Sequence, residues 1–246
     1  MDNTSYISLA RATSLQRRLD VIAHNIANMN TTGYKKRKMV FSEFLVQAQR
    51  PFVDRDVREY KSVIDERTIR DVEDGTHLET GNPFDLALSG TGFFKVAYNN
   101  GVAYTRAGNF ALNANNELTT IGGRQVLSGG DQPILIPQGA QDISITQSGQ
   151  LFADGLAVGQ LEIVQFDDLQ DMESIGDSLM ITTQEEQPAP DAVVRQGKLE
   201  QSNVNPILEM TRMIDTLRTF QANQKMIEDH HSRQRTSIRS IADPKL

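Results

Sequence analysis

Two stretches near the ends of the chain repeat apolar residues with the spacing of a coiled coil. In the first, steps of four and three connect Leu15, Leu19, Ile22, Ile26 and Met29. In the second, steps of three and four connect Met210, Met213, Leu217, Phe220, Gln224 and Ile227. On a helix each set forms one narrow stripe, which needs a partner helix. We therefore expect the two terminal helices to pair, with the ten apolar residues of these stripes as the helix interface.

The alternative is that two amphipathic helices cap a globular core, although such helices usually carry a wider apolar face. The first helix is predicted over residues 4–29 and is expected to stop before Gly33, which can take the left-handed conformation that ends helices. Asn25 and Asn28 lie near its end. Their amides either tolerate a helix terminus or form hydrogen bonds between packed helices.

The second helix has a clear start signal. Asn205 can cap it, and Pro206 fits the first helical position. The pattern then continues to about His231 and reaches Ile241 at most. Helices at both ends therefore enclose the rest of the chain.

Short alternating runs separated by turn residues dominate the middle of the chain. The strongest signal is the pair Asn100-Gly101, which predicts a two-residue β-hairpin turn. A second hairpin is predicted on either side of residues 114–116. The sequence thus predicts an α+β chain, in which paired terminal helices form a coiled-coil-like domain and an all-β domain is inserted between them. The expected segments are an N-terminal helix and turn at 1–34, an extended connector at 35–80, the β domain at 81–200 and a C-terminal helix at 201–246.

Charge is distributed unevenly along the 246 residues. Residues 1–50 contain eight Lys/Arg and three Asp/Glu, residues 201–246 contain seven and five, and the whole chain carries −7. The termini are therefore basic and the middle is strongly acidic. Nucleic-acid binding is not expected, because only residues 35–38 form a basic cluster.

Composition and motifs also exclude several kinds of chemistry. With no cysteine, the chain can form neither disulfides nor thiolate metal sites. No apolar run is long enough for a transmembrane helix, and no secretory signal peptide is predicted. Gly90 and Gly92 lack the third glycine of a dinucleotide loop, and His230 and His231 face different directions on a helix. We therefore predict no catalytic residue, no cofactor and no metal site, and the chain is not expected to be an enzyme.

Four blocks of sequence, in order, carry a family resemblance. They are LDVIAHNIANMNTTGYK at 19–35, TGNPFDLALSGTGFF at 80–94, YTRAGNFAL at 104–112 and QGKLEQSNVN at 196–205. Together they resemble the bacterial flagellar basal-body rod and hook proteins over nearly the whole chain. The residues that match the family motifs are Asn25, Asn28, Asn30, Thr32, Gly33, Gly81, Asn82, Pro83, Gly90, Gly92, Arg106, Gly108, Asn109, Phe110, Ser202, Asn203 and Asn205.

The resemblance implies a structural subunit of the flagellar rod. Such a subunit assembles with copies of itself and with other rod proteins into an axial tube, which transmits torque and surrounds the export channel. It also implies a periplasmic location and passage through the flagellar export apparatus without a cleaved signal peptide. Chain length and residues 1–9 look most like the proximal-rod branch, and the distal-rod and hook branches are the alternatives. A different class, a β-domain binding module dimerised by a coiled coil, would need exposed aromatic residues at a concave site.

Overall fold

Helices lie at both ends of the described chain, and strands fill the middle. The structure is a computed structural model that describes residues 3–46, 60–99 and 101–242. The helices are α1 Asn3–Ala27 and α2 Pro206–Ala242. The strands, in chain order, are β1 Arg37–Val46, β2 Tyr60–Arg70, β3 His77–Glu79, β4 Leu86–Ser89, β5 Phe93–Tyr98, β6 Gly101–Thr105, β7 Phe110–Leu112, β8 Leu118–Thr120, β9 Ile143–Ile145, β10 Gln150–Ala153, β11 Leu156–Gln160, β12 Ile163–Gln165, β13 Glu173–Gly176, β14 Leu179–Ile181, β15 Gln187–Pro188, β16 Val193–Gln196 and β17 Lys198–Glu200. The predicted α+β class is confirmed.

The chain divides into two compact units, which we call the helical unit and the β unit. The helical unit comprises Met1–Ala27, Arg37–Ile69 and Asn205–Leu246, and the β unit comprises Asn28–Lys36 and Arg70–Val204. The expected connector at 35–80 is therefore shared between the units. Its strands β1 and β2 pair with each other. Five of the eleven residues of β2 are charged, which weakens the alternating pattern by which a strand is recognised in sequence.

The two helices contact each other within the helical unit, and β1 contacts α1. Helix α1 ends at Ala27, six residues before Gly33. Gly33 does have a positive φ of 68°, but it lies too far from Ala27 to end the helix. The predicted start of α2 is confirmed: the amide of Leu208 donates to Asn205 Oδ1 at 3.1 Å, and the helix begins at Pro206.

The β unit is built around a six-stranded sheet with the order β13-β14-β6-β5-β12-β15. The predicted first hairpin is confirmed by β5 and β6, which pair antiparallel with Tyr98 opposite Gly101; Asn100 lies outside the described residues. The second is confirmed by β7 and β8. A three-stranded sheet has the order β11-β10-β9, and two smaller sheets pair β4 with β16 and β3 with β17.

Two apolar clusters form the core of the β unit. The larger one is centred on fully buried residues of β4, β5, β8 and β10, including Leu86, Leu88, Phe94, Leu118 and Leu151. The smaller one contains Phe93, Tyr104, Val164, Phe166, Met172 and Met180. The rings of Tyr104 and Phe166 meet edge to face, with their centroids 4.7 Å apart. Such a core gives fixed positions to the polar groups packed beside it.

Candidate functional site

Helices α1 and α2 meet along one row of residues on each helix, and we call these two rows the seam. On α1 the row steps by four and three through Ser8, Ala12, Leu15, Leu19, Ile22 and Ile26, all buried or half-buried. On α2 it steps the same way through Glu209, Met213, Thr216, Phe220, Asn223 and Ile227. Polar and apolar residues alternate along the α2 row. The buried and half-buried positions of both helices therefore recur with heptad spacing, but half of those on α2 are polar.

The predicted interface residues lie in different places relative to the seam. Leu15, Leu19, Ile22 and Ile26 lie on it, and Met29 is half-buried in the turn after α1. On α2, Met213, Phe220 and Ile227 lie on the seam, whereas Met210 and Leu217 are exposed. The two rows on α2 share every second position. At the other positions, the seam residue directly precedes the residue of the predicted apolar stripe. The offset places Glu209, Thr216 and Asn223 inside, because these side chains can form buried hydrogen bonds there.

Apolar residues remain exposed on another face of α2. Ile207 is 78% exposed, Met210 47%, Ile214 51% and Leu217 40%. At steps of three and four they form one line along the first three turns of the helix, which we call the outward stripe. Its side chains are large and apolar, whereas the seam positions 209, 216 and 223 carry polar side chains. Contiguous exposed apolar residues are typical of association surfaces in proteins.

The carboxamide of Asn25 joins three elements at one end of the seam. Its Nδ2 donates to the carbonyl of Arg37 at 2.9 Å, and the amide of Arg37 donates to its Oδ1, also at 2.9 Å. Nδ2 also lies 3.4 Å from Glu209 Oε2 on α2. Asn25 and Glu209 are both buried. Asn25 therefore links the end of α1 to the first residue of β1 and the first turn of α2.

A second asparagine joins the helices at the other end of the seam. Asn223 Nδ2 on α2 donates to the carbonyl of Ser8 on α1 at 3.0 Å, and both residues are buried. Since Ser8 faces Asn223 while Asn25 faces Glu209, the two helices run antiparallel. The Oδ1 of Asn223 is buried and accepts no hydrogen bond from the described residues.

The β unit contains a buried ion cluster centred on Glu200, whose side chain is fully buried. Lys35 Nζ lies 2.7 Å from Glu200 Oε1, and Arg106 Nη1 lies 3.4 Å from Oε2. Asp74 completes the cluster, at 3.4 Å from Lys35 and 3.6 Å from Arg106. Burial acts to raise the pKa of Asp74, but the Gly90 amide and the two cations outweigh it and hold the pKa below its usual value. The Asp74 carboxylate therefore stays ionised beside the two buried cations.

Asn203 ties three chain segments together beside this cluster. Its Oδ1 accepts from the amide of Lys36 at 2.7 Å. Its Nδ2 donates to the carbonyls of Asp71 at 3.2 Å and Glu73 at 2.9 Å. These are the segments at which the chain enters or leaves the β unit. One side chain thus joins the ends of the unit by hydrogen bonds to their backbones.

A further charged group lies on β5. The ammonium group of Lys95 is 2.7 Å from both Asp131 and Glu186, and the Tyr104 hydroxyl donates to Glu186. Burial acts to lower the pKa of Lys95, but the hydrogen bonds to the two carboxylates raise it above its usual value. Among the described residues, no group of His, Asp or Glu is arranged to hold a metal ion.

Comparison with known proteins supports the resemblance of the motifs. Family models match at residues 6–35 (flagella basal body rod protein), 87–153 (flagellar hook protein FlgE/F/G D1 domain) and 195–240 (flagellar basal body rod FlgEFG protein C-terminal). A flagellar basal-body rod protein FlgF of Caulobacter vibrioides is 34% identical over 98% of both chains. The chain belongs to the flagellar hook and basal-body rod family.

Other members of the rod family are similar over most of their length. A FlgF protein of Mesorhizobium japonicum is 31% identical over 98% of both chains. A FlgG protein of Agrobacterium fabrum is 34% identical over 86% of this chain and 89% of that protein. No helix in the described ranges is long and apolar enough to cross a membrane.

Several residues of the rod-family motifs lie in or beside the ion cluster. Arg106 binds Glu200, and its Nη2 donates to the carbonyl of Gly90 at 2.6 Å. A Cβ on Gly33 would lie 2.5 Å from the backbone carbon of Arg106, and one on Gly108 would lie 1.7 Å from the carbonyl oxygen of Leu86. Both glycines are therefore needed for close backbone approach.

The other motif residues shape turns and strand ends. Asn82 donates to Asp85 at 3.1 Å and accepts from the amide of Phe84. The Pro83 carbonyl accepts from Gln196, and Ser202 Oγ accepts from the amide of Val204. Asn28, Asn30 and Thr32 lie in the turn after α1, and Gly81 has a φ of 72°. Gly92 lies beside Ile163, Asn109 forms a β-bridge with Asp85, and Phe110 packs against Phe94 in the core.

The sequence patterns assigned no structural role to Lys35, Asp74, Glu200, Glu209 or Asn223. Lys35 and Glu200 lie within the motif blocks, so the blocks carried a signal for them, but their pairing across the chain did not follow from spacing. Glu209 and Asn223 interrupt an apolar heptad pattern with a separation of two heptads. A polar residue repeated at a heptad position is the signal that could have identified the seam of α2.

Proposed function

We propose that this chain is a structural subunit of the proximal flagellar rod. In this proposal it assembles with copies of itself and with other rod proteins into the axial tube that transmits torque and surrounds the export channel. The chain reaches the periplasm through the flagellar export apparatus, without a cleaved signal peptide. Similarity to two FlgF proteins over 98% of the chain supports the proximal-rod assignment.

The observation that carries the proposal is the outward stripe of α2. The apolar side chains of Ile207, Met210, Ile214 and Leu217 remain in solvent while polar side chains occupy half of the α2 seam. Burial of apolar surface contributes about 25 cal/mol per Å², so a single chain leaves this contribution unused. Helices of neighbouring subunits would cover the stripe in a tube.

In the proposal, α1 and α2 act as a coiled-coil-like axial domain and the β unit is the domain inserted between them. The residues of the predicted α2 stripe then make two kinds of contact. Met213, Phe220 and Ile227 support pairing within one chain, and Met210 and Leu217 serve contacts between chains.

The binding-module alternative lacks support in the described residues. It needs aromatic rings on an exposed concave surface, but Phe93, Tyr104, Phe110 and Phe166 are buried in the two cores. No relative named here is described as a binding module.

The test places a charge on the outward stripe. Ile214→Asp is expected to leave the purified chain folded, because residue 214 is exposed, but to prevent rod assembly and abolish motility in cells lacking the native copy. Ala222→Asp introduces the same carboxylate at an exposed position on another face of α2. It is expected to preserve motility. Full motility with Ile214→Asp would overturn the proposal.

A further inference from the structure

Two asparagines hold opposite ends of the seam, and the apolar residues between them do not define its register. Met213, Phe220 and Ile227 recur every seven residues on α2, as do Ala12, Leu19 and Ile26 on α1. If one helix slid by a heptad, apolar residues would again face apolar residues. The burial of these side chains therefore distinguishes poorly between registers.

The buried amides do distinguish between registers. After a slide of seven residues, the Nδ2 of Asn223 would leave the Ser8 carbonyl, to which it donates at 3.0 Å. Glu209 would likewise leave Asn25, and its buried carboxylate would lose this donor. The Asn223 amide would stay buried without its partner, which is costly, whereas Glu209 would keep its contact with Arg212 of the same helix at 2.6 Å. A buried asparagine in a helix seam acts in this way to select one register.

Asn25 also fixes the register relative to β1. Because its carboxamide bonds both the N–H and the C=O of Arg37, the end of α1 is held to the first residue of β1. The same side chain faces Glu209 in the first turn of α2. The start of α2, and with it the outward stripe that begins at Ile207, is thereby set relative to α1.

We infer that Asn25 and Asn223 are register-determining residues, which fix the antiparallel pairing of α1 and α2 and so present the outward stripe to a second copy of this chain. The inference rests on the proposed function for the role of the stripe. The register itself is a property of a single chain and can be measured without assembly.

The test measures the register with a pair of spin labels. The chain has no cysteine, so Thr13→Cys and Arg233→Cys, both at exposed positions, give two unique label sites on the full-length protein. Double electron–electron resonance is expected to show one narrow distance distribution. Sliding by one heptad moves the labels by about 10 Å along the helix axis, which the method resolves.

Asn223→Leu is the decisive variant. It replaces a buried amide whose Oδ1 accepts no hydrogen bond in the described chain with an apolar group. We expect unchanged or higher thermal stability of the helices, a second distance population about 10 Å from the first, and reduced assembly. Gln224→Leu makes the same kind of change at the neighbouring exposed position and is expected to keep the single population.

Two results would overturn the inference. One is a single wild-type distance in the labelled Asn223→Leu chain, which would show that apolar packing alone sets the register. The other is lower helix stability with no second population, which would show that Asn223 has only a structural role. Either result leaves the proposed function intact, since the Ile214→Asp experiment tests that proposal separately.

Asn25→Asp gives a second variant of the same kind. The aspartate keeps the shape of the side chain but cannot donate to the Arg37 carbonyl, and a second distance population is expected for it too.

Discussion

At the scale of single residues, buried polar groups carry the specific contacts of both units. In the helical unit, Asn25 and Asn223 make hydrogen bonds between elements far apart in sequence. In the β unit, Glu200 neutralises Lys35 and Arg106. Buried ion pairs add little net stability, but removing one partner leaves a charge without compensation. Such residues are therefore sensitive to substitution out of proportion to their size.

The ion cluster gives a direct prediction at this scale. Glu200→Gln keeps the shape of the side chain but leaves Lys35 and Arg106 buried without their shared carboxylate. We expect the free energy of unfolding to fall by about 3 kcal/mol or more, measured by urea titration followed by circular dichroism.

The matched control for this substitution is Glu79→Gln. Glu79 lies on β3, the strand paired with the strand that carries Glu200, but it is exposed. Its replacement is expected to change stability by no more than about 0.5 kcal/mol. Equal effects of the two substitutions would mean that burial of Glu200 does not determine its contribution.

At the scale of secondary-structure elements, α2 has two faces with different partners. The seam face contacts α1, and the outward stripe faces solvent in a single chain. Heptad spacing predicted both helices, and turn residues predicted two β-hairpins that the structure confirms. The α2 face did not follow from the apolar pattern, because the two possible rows share Met213, Phe220 and Ile227. The hydrogen bonds that Glu209 and Asn223 form with α1 decide which of the two rows faces α1.

The two faces predict different results for two neighbouring substitutions. Phe220→Ala removes a half-buried ring from the seam and is expected to lower the stability of the isolated chain by about 1–2 kcal/mol, less than for a fully buried ring. Leu217→Ala, on the outward stripe, is expected to cost less than about 0.5 kcal/mol but to weaken assembly. Thermal unfolding at 222 nm checks stability. A similar loss of stability in both variants would contradict the assignment of the faces.

At the scale of the whole molecule, the ordered motifs were more informative than local patterns. The four blocks predicted membership of the rod family, and many of their residues meet near Glu200, Arg106 and Asn203 in the β unit. Periodicity alone could not show that these residues lie close together, because the contact of Arg106 with Glu200 joins residues more than 90 positions apart. The pairing of β1 with β2 within 35–80 was also not predicted, because the apolar pattern of that segment is weak.

The measurement that tests the central claim most directly is cryo-electron microscopy of basal bodies isolated from cells that make this chain. The account predicts density for this chain in the proximal rod, with α1 and α2 of each copy paired antiparallel beside the channel and the outward stripe covered by a neighbouring subunit. Basal bodies whose rods contain no copy of the chain, together with a purified protein that forms only a discrete dimer, would contradict it.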